Sequence, residues 1–482
     1  MQVSHRTSAA SVSFDEPNLV SVAGLVPVMT LARDAGLHEL ADEWLSVPTD
    51  KGANAGLKVA SLVAGMVAGA DSIDDMAVLR HGGMKRLFNA CYAPSTLGSF
   101  LRSFTFGHVR QLDAVASRFL VNMASQAPLL GTPGGGGSEP QPEHSDFVFV
   151  DVDDTIIEVH GYAKQGSGYG YSKVRGLNAL LATASRTDSA PVILAQRLRK
   201  GAANSARGSK RLIADALSTL TRAHTGGTQA RTPLGGRVLV RADSAFYGHR
   251  SVAAALGGGA EVSVTVRMDP AVKRAIATIP DTAWTTIEYT DAVFDETTNT
   301  WVSRAEVAEV PFTAFSSRKK TEQITGRLIV RRIPDLNPKA GAGQSTLFTT
   351  HRHHAFFTTI TAKTLDTVAA DKIHRQHAII EQVNADLKDS ALAHLPSGVF
   401  TANSAWLVAA VMAYNLTRAA GLLAAGPFAK ARTGTIRRKL IHVPARIACS
   451  ARRIKLHLPE AWPWQTHWEK LNTSLHAPPA TA

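Results

Sequence analysis

The chain has 482 residues, 45% of them apolar, and its 52 Lys and Arg residues outnumber 39 Asp and Glu residues to give a net charge of +13. This length exceeds one ordinary hydrophobic core and predicts two to four modules. The basic balance favours a polyanionic partner, with nucleic acid first, although a protein that is basic without such a partner stays open. The two cysteines, Cys91 and Cys449, lack metal-ligand spacing, which argues against a disulfide framework or a zinc site and fits a reducing cytosol.

The N-terminal residues lack the apolar core of a secretory signal. The longest apolar run, residues 405–423, is interrupted by Asn415, Thr417 and Arg418, which indicates a buried helix rather than a membrane span. We therefore expect a cytoplasmic protein with no membrane partner.

Residues 17–126 carry helical periodicity, with apolar residues at three-and-four spacing over 26–40, 57–68 and 109–123. This pattern predicts an all-helical domain over residues 1–130. Within it, residues 94–110 resemble a helix-turn-helix, with a Ser95 or Thr96 cap and a turn at Gly107. Arg102 and Arg110 are then candidate phosphate contacts, although two ordinary helices around a glycine fit the pattern equally well.

A glycine-rich and proline-rich stretch predicts a flexible linker over residues 131–145. The pattern then changes to alternating strands and helices. It predicts strands at 147–152, 179–185 and 191–199, a helix at 203–223, a strand at 237–242, a helix at 250–256 and a strand at 261–267. This order is typical of ribonuclease H-like domains, so we expect an α/β fold whose catalytic domain begins with residues 146–268.

Three further segments complete the predicted organisation. Residues 269–350 are rich in Thr, Val and Ile with alternating polarity, which predicts a β-rich insertion. Helical periodicity resumes at Leu365 and continues, with breaks, to about Leu423, within the expected second part of the catalytic domain, 351–425; a basic C-terminal segment spans 426–482. Residues 431–470 contain nine basic residues and only two acids, so this segment is a plausible phosphate-binding arm. Its candidate phosphate contacts are Arg437, Arg438, Lys439, Arg452 and Arg453.

The run from Phe147 to Ile157 contains three closely spaced carboxylates, Asp151, Asp153 and Asp154. Because side chains alternate along a strand, Asp151 and Asp153 share one face and Asp154 faces the other way. Carboxylates this crowded repel one another and require neutralisation or exposure to water. A hard divalent metal is the obvious candidate.

Two further motifs carry acids. Asp243 follows a buried strand, at the end where open α/β sheets hold ligands, although it can equally cap the helix after it. Residues 371–388 predict a helix on which His374, His377 and Glu381 form one stripe that Lys388 extends. A solvated charged face is the alternative, and the spacing is not the His-Glu-x-x-His of a zinc protease.

Together these motifs resemble DDE transposases of the insertion sequence 1380 group. The resemblance rests on three motifs: Asp-x-Asp-x-Thr in the first strand, Arg-Ala-Asp-Ser-x-Phe in the fourth, and a helix in which Glu381 is followed, six residues later, by Leu387-Lys388. It also includes residues 97–102 before the catalytic domain, His160-Gly161 after the first strand, and residues 436–446.

The resemblance implies a ribonuclease H-like fold, cut-and-paste DNA transposition and a pair of Mg²⁺ ions, for which Mn²⁺ is a possible substitute. It assigns Asp153, Asp243 and Glu381 as the catalytic metal ligands, with Asp151 as the alternative first ligand. The expected partner is double-stranded DNA, both the terminal inverted repeats of the element and the target, bound by a homodimer.

One position pair departs from the family pattern. Related transposases carry a tyrosine seven residues and an arginine four residues before the glutamate, and here these positions are His374 and His377. Arg375 remains, and we expect His374, Arg375, His377 and Lys388 to contact the DNA backbone.

Two alternatives stay open at this stage. A haloacid dehalogenase-like phosphatase would use Asp151 as nucleophile and Asp153 as general acid, but the lysine and downstream acidic pair it needs are not evident. A catalytically decayed DNA-binding regulator would keep the fold without strand cleavage.

Overall fold

The fold is described from a computed structural model of the chain. The structure describes residues 11–48, 50–130, 147–161, 163–186, 189–224, 237–295, 300–334, 351–450 and 453–475. The predicted linker, residues 131–145, lies outside these ranges.

The described residues form fourteen α-helices and thirteen strands. The helices are α1 (Leu25–Asp34), α2 (Leu37–Trp44), α3 (Ala55–Val67), α4 (Met84–Leu87), α5 (Pro94–Arg102), α6 (Phe106–Gln126), α7 (Ser209–His224), α8 (His249–Gly257), α9 (Pro270–Ala277), α10 (Thr367–Arg375), α11 (Ile379–Lys388), α12 (Phe400–Ala424), α13 (Thr433–Ile436) and α14 (Gln465–Ser474). The strands are β1 (Leu19–Val20), β2 (Phe147–Glu158), β3 (Gly168–Tyr169), β4 (Arg175–Ser185), β5 (Val192–Lys200), β6 (Arg237–Ala242), β7 (Glu261–Thr265), β8 (Thr285–Asp295), β9 (Thr300–Ala314), β10 (Ile324–Pro334), β11 (His351–Thr358), β12 (Ala445–Ser450) and β13 (Arg453–His457).

A ten-stranded mixed sheet forms the centre of the protein, in the order β3-β4-β2-β6-β7-β11-β10-β9-β8, with β5 paired to β4. Strand β2 pairs antiparallel with β4 and parallel with β6, and β6 pairs parallel with β7. The α/β class is confirmed, as is the predicted order of strands and helices from residue 147 to 267, except that the short strand β3 was not predicted. Strand β2 runs six residues further than predicted, so its three aspartates lie inside the strand rather than at its end.

The region predicted as a β-rich insertion extends the same sheet. Strand β11 pairs antiparallel with β7, and β10, β9 and β8 follow outward from it. The attachment is apolar, because Phe356 and Phe357 of β11 are almost fully buried. These strands therefore share the hydrogen-bonded sheet that carries the carboxylates.

Helix α12 forms the centre of the helical side of the molecule. It packs against α1, α3, α5 and α6 from the N-terminal part of the chain and against β5 of the sheet. It has the length and apolar composition of a membrane-spanning segment, but most of it is buried inside the protein. The expectation of a buried helix over residues 405–423 is confirmed.

The N-terminal part differs from the expected all-helical pattern at two places. Strand β1 pairs antiparallel with β12 of the C-terminal segment, in a small three-stranded sheet. Helix α5 begins at Pro94, a residue suited to the first helical turn, and not after a Ser95 or Thr96 cap. The next helix begins at Phe106, where Thr105 accepts a hydrogen bond from the His108 backbone, so the turn precedes Gly107.

Candidate active site

Two parallel strands bring Asp153 and Asp243 together. The last register pair between β2 and β6 joins Val152 to Ala242; Asp153 is the next residue of β2, and Asp243 is the first residue after β6. Because the carboxyl ends of parallel strands meet at one edge of a sheet, the two carboxylates are neighbours. The backbone pairing alone therefore assembles the first half of the predicted acidic centre.

Helix α11 supplies a close partner for Asp153. The Nδ2 atom of Asn384 donates a hydrogen bond to Oδ2 of Asp153 across 3.0 Å. Burial raises the pKa of Asp153 to about 6, an effect that the neighbouring Asp154 and Asp243 carboxylates increase and that His377 opposes. Asp153 thus sits where negative charge is costly unless a cation accompanies it.

Asp243 has two roles in the structure. Its Oδ1 accepts a hydrogen bond from the Ala245 backbone N–H at 3.0 Å, which caps the short helical turn after β6. Burial also raises the pKa of its carboxyl, and the charge of Asp154 contributes to this rise. The capping role weighed from the sequence is therefore present together with the position beside Asp153.

Asp154 points away from the Asp153 face of β2, as the alternation predicted, but its side chain still lines the same cleft. Its Oδ2 forms an ion pair with Arg199 at 2.6 Å and a hydrogen bond with Asn178. The same guanidinium donates to the carbonyl oxygens of Ser205 and Arg207, each at 2.7 Å. Arg199 therefore neutralises Asp154 and holds the loop between β5 and α7.

Asp151 is fully buried and ion-paired, although it shares the strand face of Asp153. The guanidinium of Arg241 binds both of its oxygens, at 2.7 and 2.8 Å, and His377 Nδ1 lies 2.9 Å from Oδ1. Burial alone would raise the pKa of Asp151, but Arg241 and His377 outweigh it and hold that pKa below its ordinary value. The structure does not support Asp151 as a metal ligand or as a phosphatase nucleophile, because no surface of the residue is exposed.

Glu381 is exposed on α11 and does not line the cleft that holds Asp153 and Asp243. It shares a helical stripe with Asn384, three residues on, and Lys388, seven residues on. Asn384 contacts Asp153 and Lys388 lines the cleft, so this stripe faces the carboxylates. Among the described residues, no three His, Cys, Asp or Glu side chains converge on one metal-sized position.

His374 packs within the protein. Its ring stacks on Phe356 with 4.0 Å between the ring centroids, and its two nitrogens lie 2.8 Å from Ser263 Oγ and 2.9 Å from Thr265 Oγ1. Burial, together with the positive charge of its neighbours, holds the pKa of this imidazole well below its ordinary value. A neutral ring with both nitrogens engaged cannot serve as the DNA contact predicted from the sequence.

The predicted phosphate contacts before and on the glutamate helix occupy different surroundings. Arg102 is exposed, whereas Arg110 forms ion pairs with Asp113 at 2.6 Å and Asp215 at 3.3 Å. Arg375 forms an ion pair with Asp371 at 2.8 Å. Arg110 therefore acts between α6 and α7, and the structure does not support its predicted phosphate contact.

The predicted phosphate contacts of the C-terminal segment also differ in their exposure. The Arg437 side chain is largely enclosed and donates from Nε to the Val67 carbonyl at 3.1 Å, while the ammonium of Lys439 lies 4.8 Å from the ring centroid of Trp464. Arg438 and Arg453 are exposed, and Arg452 lies outside the described residues. Arg438 and Arg453 thus keep the exposure that a DNA contact requires, whereas Arg437 does not.

Asp153 and Asp243 line a cleft of about 1190 Å³, larger than the usual pocket for a small molecule. Its ionisable lining residues are the acids Asp153, Asp154, Glu158 and Asp243 and the bases Arg267 and Lys388. Only Asp154 among these acids is matched by a buried arginine. A polyanion entering this cleft therefore requires additional positive charge.

The donor atoms suit a hard divalent cation. Asp153 and Asp243 provide neighbouring carboxylates, and Asn384 Oδ1 is buried with no hydrogen-bond partner among the described residues. Oxygen donors of this kind are those that Mg²⁺ and Mn²⁺ accept. Two carboxylates and one amide oxygen fit such an ion, with Glu381 one turn away on the same helix.

Sequence reasoning missed three residues that shape the site, namely Asn384, Arg199 and Arg241. Arg241 stands inside the Arg-Ala-Asp motif, two residues before Asp243, and Asn384 lies three residues after Glu381. The helical spacing gave a signal for Asn384. No local pattern indicates Arg199, whose partner Asp154 is 45 residues away.

The sheet and its paired carboxylates define an α/β protein with an acidic, oxygen-lined centre. The family described as "Transposase DDE domain group 1" matches residues 138–479. Because this match covers more than half of the chain, the protein belongs to that family and is a transposase, a nuclease-class enzyme. Domains of this family generally use divalent metals and act on DNA. A search of curated proteins finds no match.

Proposed function

We propose that this transposase cleaves DNA at the ends of its own mobile element and joins the freed ends to target DNA, with Asp153 and Asp243 at the reacting phosphate. The observation that carries this proposal is the juxtaposition of these two carboxylates at the point where the parallel pairing of β2 with β6 ends. We further propose membership of the insertion sequence 1380 group, a cytoplasmic location and action as a homodimer on DNA ends.

The sheet supports a ribonuclease H-like assignment. From β5 through β4, β2 and β6 to β7, the central strands follow the chain-order pattern 3-2-1-4-5, with only the second strand antiparallel to its neighbours. The strands β8 to β11 then stand between the second aspartate and the glutamate helix, where the family resemblance expects an insertion.

A divalent cation held by Asp153 and Asp243 would supply charge neutralisation and an activated oxygen nucleophile for phosphodiester chemistry. We propose Mg²⁺ as the ion, used as a pair, with Mn²⁺ as a substitute and Glu381 as the third carboxylate. Three contacts support this arrangement: Asn384 donates to Asp153, Arg241 pairs with the buried Asp151, and Lys388 lines the same cleft, where we propose that its ammonium contacts a DNA phosphate.

The proposed activity is tested by incubating the full chain with a DNA fragment that carries both flanks of its own gene, in Mg²⁺, Mn²⁺ or chelator. We expect cleavage in either metal and none in chelator. The same preparation should leave p-nitrophenyl phosphate intact, because the aspartate a phosphatase would use is buried. Hydrolysis of that ester without DNA cleavage would overturn the proposal.

A second candidate function is a DNA-binding regulator without cleavage. The exposed position of Glu381 outside the cleft favours it, since the third carboxylate does not join the other two in this conformation. Cleavage assays on the wild-type protein and on the Glu381→Gln variant discriminate between the two functions. Loss of metal-dependent cleavage supports the transposase, whereas specific DNA binding by a wild-type protein that never cleaves supports the regulator.

A further inference from the structure

Two tyrosines stand exposed in the wall of the cleft that holds the carboxylates. Tyr169 retains 63% of its accessible surface and Tyr171 retains all of it. Both line the cleft together with Asp153 and Asp243. Tyrosine ordinarily buries a large part of its ring, so this pair contributes little packing to the fold.

Tyr169 lies on the short strand β3, and Tyr171 lies in the turn that follows it. Strand β3 pairs antiparallel with β4, with Tyr169 opposite Arg175. Gly201 packs so closely on this hairpin that a side chain there would meet the Gly168 carbonyl oxygen at 2.4 Å, and its N–H donates to Gly166 at 3.0 Å. Both tyrosines therefore belong to a segment that is paired with β4 and packed against Gly201.

The surroundings indicate what these rings bind. The cleft is larger than a typical small-molecule pocket, and it is lined by Asp153 and Asp243, the two carboxylates proposed to act at the reacting phosphate. A strand whose phosphate lies beside Asp153 brings flat bases within the same cleft. An aromatic ring stacks on any base, but only where that base face is not already covered inside a duplex.

Resting on the proposed function, we propose that Tyr169 and Tyr171 form a stacking subsite for an unpaired nucleobase of the DNA strand whose phosphate is cleaved. The subsite binds the flat face of the base by stacking and does not read its hydrogen-bonding edge, so it accepts any base. It gives the enzyme a preference for DNA that is opened next to the cleavage position over a fully paired duplex.

The test uses a short duplex with a single-stranded extension that contains 2-aminopurine, bound by the full-length protein in Ca²⁺ to separate binding from cleavage. Stacking on a ring quenches 2-aminopurine fluorescence. We expect quenching by the wild-type chain and by Tyr169→Phe and Tyr171→Phe. The Tyr→Ala and Tyr→Leu variants should lose the quenching and bind the extended duplex about tenfold more weakly, while their affinity for a blunt duplex stays unchanged.

The leucine variants are the matched control, because they keep apolar bulk and lose the ring. Wild-type quenching in the alanine or leucine variants would overturn the subsite, as would an equal loss of affinity for the blunt duplex. A change in sedimented mass without a change in quenching would assign the tyrosines to contact with a second copy and would also overturn it. A wild-type protein that quenches but never cleaves in Mg²⁺ or Mn²⁺ would overturn the proposed cleavage and support the subsite.

Discussion

Asn384 donates a hydrogen bond to the Asp153 carboxylate across 3.0 Å, and this contact ties the glutamate helix to the strand of the acidic motif. A hydrogen bond to an ionised carboxylate favours the ionised form. The Asn384→Ala variant should therefore raise the pKa of Asp153 further above 6.

The consequence is measured as a pH profile of DNA cleavage. Since the reaction requires ionised Asp153, we expect the acidic limb of the Asn384→Ala profile to move to higher pH by about one unit, with a rate about fivefold lower at pH 6 and about twofold lower at pH 7. Gln382→Ala, an exposed position on the same helix, is the control. An unchanged profile in Asn384→Ala would show that the hydrogen bond does not tune Asp153.

The raised pKa of Asp153 also predicts a pH effect on stability. A carboxyl that titrates near pH 6 in the folded protein binds more protons there than the unfolded chain does, so metal-free stability falls as pH rises from about 4 to 6. Asp153→Asn removes this penalty and keeps an acceptor for Asn384. We expect the metal-free variant to be more stable than wild type by about 1–2 kcal/mol at neutral pH, after discounting for partial exposure.

Thermal unfolding in chelator at pH 4.5 and pH 7.5 measures this difference. The two proteins should unfold at similar temperatures at the lower pH and separate at the higher. Added Mn²⁺ should stabilise wild type and leave Asp153→Asn unchanged. A variant less stable than wild type at pH 7.5 would contradict the raised pKa.

The buried pair of Asp151 and Arg241 is predicted to support the sheet end. Arg241→Met leaves a buried carboxylate without its main partner, which typically costs about 3–5 kcal/mol. The free energy of unfolding in urea should fall accordingly, while Arg304→Met, which breaks an exposed pair with Glu288, should have little effect. Equal effects of the two variants would contradict a structural role for the buried pair.

Lys388 is predicted to contact a DNA phosphate, because it lines the cleft and lies within electrostatic range of Asp153. Lys388→Ala should weaken DNA binding. In a plot of the logarithm of the binding constant against the logarithm of salt concentration, the slope should become shallower by about the value of one phosphate contact. Lys319→Ala, an exposed lysine away from the cleft, should keep the wild-type dependence. An unchanged salt dependence in Lys388→Ala would remove this residue from the DNA path.

Local patterns predicted much of this fold because strands and helices have short repeats that a sequence displays directly. Periodicity predicted the first part of β2, the whole of β6 directly before Asp243, and a helix around Glu381, although the single helix expected over residues 371–388 is divided into α10 and α11. The extension of the sheet through β11 was not predicted, since pairing of β11 with β7 joins residues almost 100 positions apart.

The site could be predicted only in part for the same reason. Alternation along β2 placed Asp151 and Asp153 on one face, but it could not show that Arg241 and His377 enclose Asp151 and leave Asp153 to the cleft. The conformation of His374 likewise depends on Ser263 and Thr265 from a distant strand. Burial and partner choice are tertiary properties, which a single stretch of sequence does not contain.

The most direct test of the central claim compares metal-dependent DNA cleavage by Asp153→Asn, Asp243→Asn and Asp151→Asn with wild type, using protein that each variant's thermal unfolding shows to be folded. We expect cleavage in Mg²⁺ to fall by at least about a hundredfold in the first two variants, because each loses a carboxylate at the reacting phosphate. Folded Asp151→Asn should retain much of its activity. Full activity in Asp153→Asn or Asp243→Asn would contradict the assignment of these two aspartates as the catalytic pair.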